Sequence, residues 1–287
     1  MDTFDTVTGK WTSSIDRVKI SVHGVVAANL GRYVLYITPS ALSAYDTKRR
    51  RWIPSPIPLS GAPDLIAQQT AFFTGGAGSV LNRIVIFDGH TGQWMEKNVA
   101  TPRESVSITA LGDYAVFSGG KVSYAIDSDS ADIFNLRTGN WSVHQLSAAR
   151  GSIAIVKTGK TLYFLGGTKD YSSNGVRAID ILDTATGNWS IDSLAAVRSG
   201  PTAALLGNQI IVTGRKSDAY LGLGAGENTA DIYNPITHTA HLLKLASFSQ
   251  PYHISSWGKT AILSSVQDAA YTTTVDIVTD TTKGKSA

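Results

Sequence analysis

The sequence predicts an all-β chain built from six tandem copies of one four-stranded unit. The first observation behind this is an internal echo: "ADIFNLRTGNWS" (131–142) returns as "IDILDTATGNWS" (179–190). Degraded copies read "FDTVTGKWTS" (4–13), "LSAYDTKRRRW" (42–52), "RIVIFDGHTGQW" (83–94) and "ADIYNPITHTAH" (230–241). The second is the spacing of the anchor residues. Trp11, Trp52, Trp94, Trp141, Trp189 and Ala240 are separated by 41, 42, 47, 48 and 51 positions, a period at which a repeat architecture is the first reading. The third is a block of 18 residues between anchors, with no helix-period apolar patterning. It is clearest in 103–120, 150–167 and 198–215, with weaker copies at 22–39 and 249–266 and a shortened one at 60–76.

Each unit divides into elements in the same order. Two short apolar runs such as "SIAIV" and "TLYFL", joined by a turn containing Gly159, predict a hairpin. A glycine pair closes the second run, where a side chain would obstruct a close backbone approach. The third strand is the "AIDIL" segment. A "DTATGN" turn, with glycine at positive φ, leads to a fourth strand opened by tryptophan. That tryptophan is expected to pack between neighbouring units.

These features resemble the kelch repeat: a diglycine after an apolar strand, a "VDIY"-type strand, a TG turn and a spaced tryptophan. The resemblance runs over essentially the whole chain and is strongest in 83–215; the fifth unit carries Gly214-Arg215 for the diglycine and the sixth Ser265-Val266. It implies a single-domain, six-bladed β-propeller over residues 1–287, with four antiparallel strands per blade. "VDIV" (275–278) aligns with "IDIL" (179–182), and Phe4 aligns with Leu182. Residues 1–13 are therefore expected to supply the closing outer strand of the last blade, which would cover two sheet edges.

Composition sets limits. The chain has no cysteine, so thiolate metal sites, disulfides and cysteine nucleophiles are excluded. A net charge of +3 is too mild to imply nucleic acid. No apolar run reaches the ~18 residues of a transmembrane helix, and the start lacks the basic and apolar regions of a signal peptide. The expectation is a cytoplasmic monomer without cofactor or metal, the alternative being an extracellular protein after removal of a signal absent from this chain.

Candidate site residues follow from the repeat frame. Arg103, Arg150 and Arg198 each fall nine positions after a tryptophan, on the loop leading into the next unit. Three guanidiniums on consecutive blades would bind carboxylate or phosphate bidentately. Kelch propellers that capture acidic peptides use arginines at this repeat position, and the resemblance implies that role here. A structural arginine bonded to loop backbone is the other reading. The loops after the second strand carry Tyr124, Tyr171, Tyr220 and Tyr271, rigid amphipathic side chains suited to a recognition surface; packing on their own loops is the alternative. Asn140 and Asn188 head N-glycosylation sequons, conditional on secretion. "KRRR" (48–51) reads as a solvated hairpin tip, or else as a nuclear import signal or anion patch. "GLGAGE" (222–227) precedes a strand, not a helix, so phosphate-loop readings fail.

No GxSxG, HExxH or paired-carboxylate constellation emerges. An iron set with spacings of four, as in nitrile-specifier proteins, would use Glu227 and Asp231 but meets Pro235 in place of histidine. The expected function is a non-catalytic module binding a protein, an acidic peptide or a small anionic ligand through an Arg/Tyr face. The alternative is a small kelch-type enzyme or lectin-like protein acting on an anionic carbohydrate, as in sialic-acid mutarotases.

Overall fold

The computed structural model describes residues 2–5, 10–13, 26–38, 41–56, 64–74, 81–123, 126–169, 174–215, 228–245, 253–266 and 273–280. Within them the chain is all-β, every strand pair is antiparallel, and there is no helix. Units one to three are four-stranded sheets. The first holds Val26–Leu30, Tyr33–Thr38, Ala41–Asp46 and Arg51–Pro54; the second holds Leu65–Ala67, Thr70–Phe73, Leu81–Asp88 and Gln93–Arg103. The third holds Ser107–Leu111, Tyr114–Ser118, Ser130–Asn135 and Trp141–Gln145.

Units four and five are fused. Ala154–Thr158, Thr161–Leu165 and Asn174–Asp183 pair onto Trp189–Leu206, an 18-residue strand. Its second half then serves as the inner strand for Gln209–Arg215, Thr229–Asn234 and Thr239–Lys244. The sixth unit has three described strands, His253–Trp257, Thr260–Val266 and Thr273–Thr279.

The repeat is visible in the register. Phe4↔Trp11, Tyr45↔Trp52, Phe87↔Trp94, Phe134↔Trp141, Leu182↔Trp189 and Tyr233↔Ala240 are equivalent partners in six outer hairpins. The turn between them is built the same way each time it is described. The first turn residue is Asp or Asn, whose Oδ1 accepts backbone N–H groups two or three positions on, as with Asn135, Asp183 and Asn234. Four residues later φ is positive, at Gly92, Gly139 and Gly187 as expected, but also at Arg50 and His238. The amide of Ala185, with that of Thr186, holds the Asp183 carboxyl below its ordinary pKa, outweighing desolvation.

Alternation along the middle strands explains the packing. Phe72 faces one neighbour and Phe73 the other. Val116 lies between Ala115 and Phe117, which face the opposite way; Tyr163 and Leu165 alternate with Leu162 and Phe164. Strands buried on both faces need near-continuous apolar runs, and "YAVFS" and "TLYFL" provide them. Among the described residues five apolar interfaces result, each between consecutive units. Three of the repeat tryptophans sit at these interfaces as expected: Trp94 against Phe73 and Phe87, Trp141 against Phe117 and Phe134, Trp189 against Phe164. Trp94 Nε1 also donates to Ile53 O of the preceding unit at 3.2 Å.

The N-terminal segment, expected to close the ring, has a local pairing among the described residues. Lys10–Ser13 pairs with Asp2–Asp5 in a two-stranded sheet of its own, and no described pairing joins it to Thr273–Thr279. The reason lies in the repeat itself. Phe4 and Val278 are both copies of the third-strand position held by Leu182, so Asp2–Asp5 offers Lys10–Ser13 a local partner in the standard register.

Candidate functional site

Arg103, Arg150 and Arg198 occupy equivalent places just before the inner strand of units three, four and five. All three have 0% relative exposure. Arg103 Nη2 donates to Asp132 Oδ2 at 2.5 Å and to Phe117 O at 2.9 Å, while its Nε donates to Gly119 O at 2.8 Å. Arg150 Nη2 donates to Asp180 Oδ2 at 2.5 Å, and Arg198 Nε to Asp231 Oδ2 at 2.6 Å. Each arginine thus ties the entry loop of its unit to the third strand of the same unit. The carboxylates take further donors from that loop. Asp180 accepts Ser147 N and Oγ, and Asp231 accepts the amides of Ala195 and Ala196.

This burial corrects the expectation that the arginine trio lines a ligand-facing mouth. A guanidinium enclosed by a carboxylate and main-chain carbonyls has no surface to offer a ligand, and the structural reading describes all three. The sequence carried a partial signal, since the sixth unit has Asp276 at the aspartate position but Ser249 in the arginine place. Asp132, Asp180 and Asp231 share one repeat position, and the first unit, with Val22 in the arginine place, carries Ser43 there. The second unit, lacking the arginine, carries Val85. Asp231 is engaged by Arg198 and two amides, so the partial match to an iron-ligand spacing has a structural origin.

The glycine pair completes the arrangement and links one unit to the next. Gly120 N donates to Arg150 O, and Gly167 N to Arg198 O, each at 3.0 Å. A Cβ on Gly119 would stand 2.2 Å from Arg150 O, and one on Gly167 2.8 Å from Gly151 O. The residues after arginine and after diglycine pair in units three and four, Glu104 with Lys121 and Gly151 with Thr168, while in unit five Ser199 pairs with Arg215, which holds the second diglycine position. The diglycine is required by backbone crowding, as its position after the second strand predicts.

Tyr124, Tyr171, Tyr220 and Tyr271 lie outside the described residues, as does 222–227. Asn140 and Asn188 are exposed at the outer turns. Lys48, Arg49, Arg50 and Arg51 are exposed too, as a hairpin tip should be. They are folded into a hydrogen-bonded turn, the amides of Lys48 and Arg49 donating to Asp46 Oδ1.

A groove of 290 Å³ opens between units three and four, lined by residues that include Tyr114, Ser142, His144, Gly187 and Trp189. His144 stacks on Trp189 at 4.1 Å and 8°. Burial lowers its pKa, against the pull of the Asp180 charge, so the imidazole is neutral at physiological pH. Phe164 covers Trp189 as well, so its indole is already engaged by two rings. Among the described residues no group of three or more His, Asp or Glu could hold a metal ion. No family model matches the chain, and no curated protein matches it.

Proposed function

We propose that the chain is a kelch-type, six-bladed β-propeller that acts as a non-catalytic binding module, its ligand taken by the loops joining second to third strands. One observation carries this reading: the two ends of the strands differ in kind. Inner hairpins turn in two residues in every unit, and outer hairpins in four or five. The second-to-third connections at the other end run from two residues in the first unit to 13 in the fifth. A frame held constant on one rim and varied on the other is the arrangement of a recognition scaffold. Three of those variable loops contain the candidate tyrosines of units four to six, and a fourth, in unit three, contains Tyr124.

The ring has its own support. The outward face of the sixth unit exposes Trp257 (91%), Ile277 (69%) and Ile262 (46%), the last two being cross-strand partners. At the other end of the series, the first unit gathers Tyr36, Tyr45 and Trp52 on the face that belongs to none of the five interfaces. Bringing these two apolar faces together closes a ring and removes an exposed patch. In that ring Thr273–Thr279 takes the place beside Lys10–Ser13 that Asp2–Asp5 holds in the described pairing. By the repeat register, Thr12 then lies opposite Ile277. A Thr12→Cys, Ile277→Cys variant of this cysteine-free chain is expected to form a disulfide on mild oxidation. Its failure to do so, while Thr3→Cys with Thr12→Cys does, would rule out the closing pair.

The binding reading is tested by affinity capture, using the chain and a variant with Tyr124, Tyr171, Tyr220 and Tyr271 replaced by alanine. The expected result is a partner lost from the variant while its melting temperature is unchanged. A partner kept by the variant, or turnover of an acidic sugar by the chain, would overturn it. Arg103, Arg150 and Arg198, each paired with a buried aspartate, lend no support to the anionic-carbohydrate alternative.

A further inference from the structure

We infer that the turn 47–50, continued by Arg51, is a second docking point, on the rim opposite the variable loops, and that it takes an acidic peptide segment of a protein partner. Five outer turns are described, and four of them carry little charge. The positions of Lys48, Arg49, Arg50 and Arg51 are filled by His90-Thr91-Gly92-Gln93, Arg137-Thr138-Gly139-Asn140, Ala185-Thr186-Gly187-Asn188 and Ile236-Thr237-His238-Thr239. In the first unit all four are cations, and all are exposed.

The turn is held rigidly. Asp46, with 0% exposure, accepts the amides of Lys48 at 3.1 Å and Arg49 at 3.0 Å. Thr47 bonds Arg32 O through both its amide and its hydroxyl. Arg32 Nη2 and Arg49 Nη1 lie 3.5 and 3.9 Å from Asp46 Oδ2, so one buried carboxylate stands against five cations. Arg50 has φ 52 in the slot where three other copies place glycine. The repeat offers a strain-free residue at this position, and the chain carries a charged one instead.

Three of the four cations are arginine, whose planar fork matches the two oxygens of a carboxylate. The extent of the patch argues for a short segment. Duplex DNA engages about 6–10 phosphates along a stripe of cations. On the side of the second unit the positive charge stops: the neighbouring inner turn carries Gln68 and Gln69, and Arg137 of the third unit already pairs with Asp113 at 3.2 Å. A few clustered Asp or Glu side chains match the tip in size and charge.

The test uses the full chain and a labelled peptide of eight alternating Asp and Glu residues, followed by fluorescence anisotropy. The control replaces the turn by that of the fourth unit, Lys48→Ala, Arg49→Thr, Arg50→Gly and Arg51→Asn, a sequence the same frame already accepts. Saturable, salt-sensitive binding by the chain, weakened at least tenfold in the control, is expected. Arg50→Gly alone is expected to weaken binding and raise the melting temperature, opposite signs that separate docking from a structural role. Absence of binding to the chain, equal binding by the control, or tighter binding of a DNA duplex than of the peptide would each overturn the proposal.

Discussion

Replacing Asp180 by alanine is expected to destabilise the protein by about 3–5 kcal/mol, because it strands a buried charge. Arg150 has 0% exposure and its Nε already lacks a hydrogen-bond partner. Removing Asp180 takes away the 2.5 Å bond to Nη2 and the acceptor for Ser147 N and Oγ. The loss would appear as a lower denaturation midpoint at constant m-value in urea. The pair Arg150→Val with Asp180→Ser, the combination found in the first unit, should cost less than Asp180→Ala alone, since no charge is left unpaired. Asp180 also pulls the His144 pKa upward against burial, so the single variant should titrate His144 at still lower pH by NMR. A loss below about 1 kcal/mol, the level of an exposed pair, would show that the guanidinium finds water or another acceptor.

Gly119→Ala is expected to cost about 2–5 kcal/mol, combining left-handed strain with overpacking. Gly119 has φ +61, and its new Cβ would lie 2.2 Å from Arg150 O and 2.8 Å from Ile153 Cδ1. The isoleucine can rotate; the carbonyl belongs to the backbone of the next unit and cannot move without disturbing the bond it accepts from Gly120. Gly139→Ala separates the two contributions. Gly139 has φ +71 with nothing within 4 Å of a built Cβ, so about 1–2 kcal/mol of conformational strain is all that applies there. Equal losses in the two variants, read by thermal unfolding, would dismiss the crowding between units.

The repeat, the four-strand order and the tryptophan interfaces were legible in the sequence because each depends on local pattern: period-two alternation, a turn residue, an aromatic at a fixed offset. The arginine role was misread because position in a repeat does not reveal depth. Nine residues after Trp141 could equally be rim or interior, and only the carboxylate of Asp180, thirty residues further on, decides it. Arg and Asp occur together across units three to five, against Val22 with Ser43 in unit one, but the sixth unit carries Asp276 with Ser249, so the pattern alone did not decide it. The N-terminal pairing was illegible for a different reason. Phe4 and Val278 are equivalent by pattern, so alignment cannot say which of them Trp11 takes as its neighbour.

The bonds from Gly120 to Arg150 and from Gly167 to Arg198 have a consequence for how the molecule comes apart. Each joins the carbonyl of one latch to the amide of the unit before it, so opening one latch withdraws an acceptor from its neighbour. Units three, four and five therefore behave as coupled spins in a one-dimensional lattice, with a nearest-neighbour energy that penalises a single open site. The flanking units lack the arginine and with it the buried ion pair to the third strand. Unfolding should enter from the flanks and then take the central three together, as a single domino rather than three.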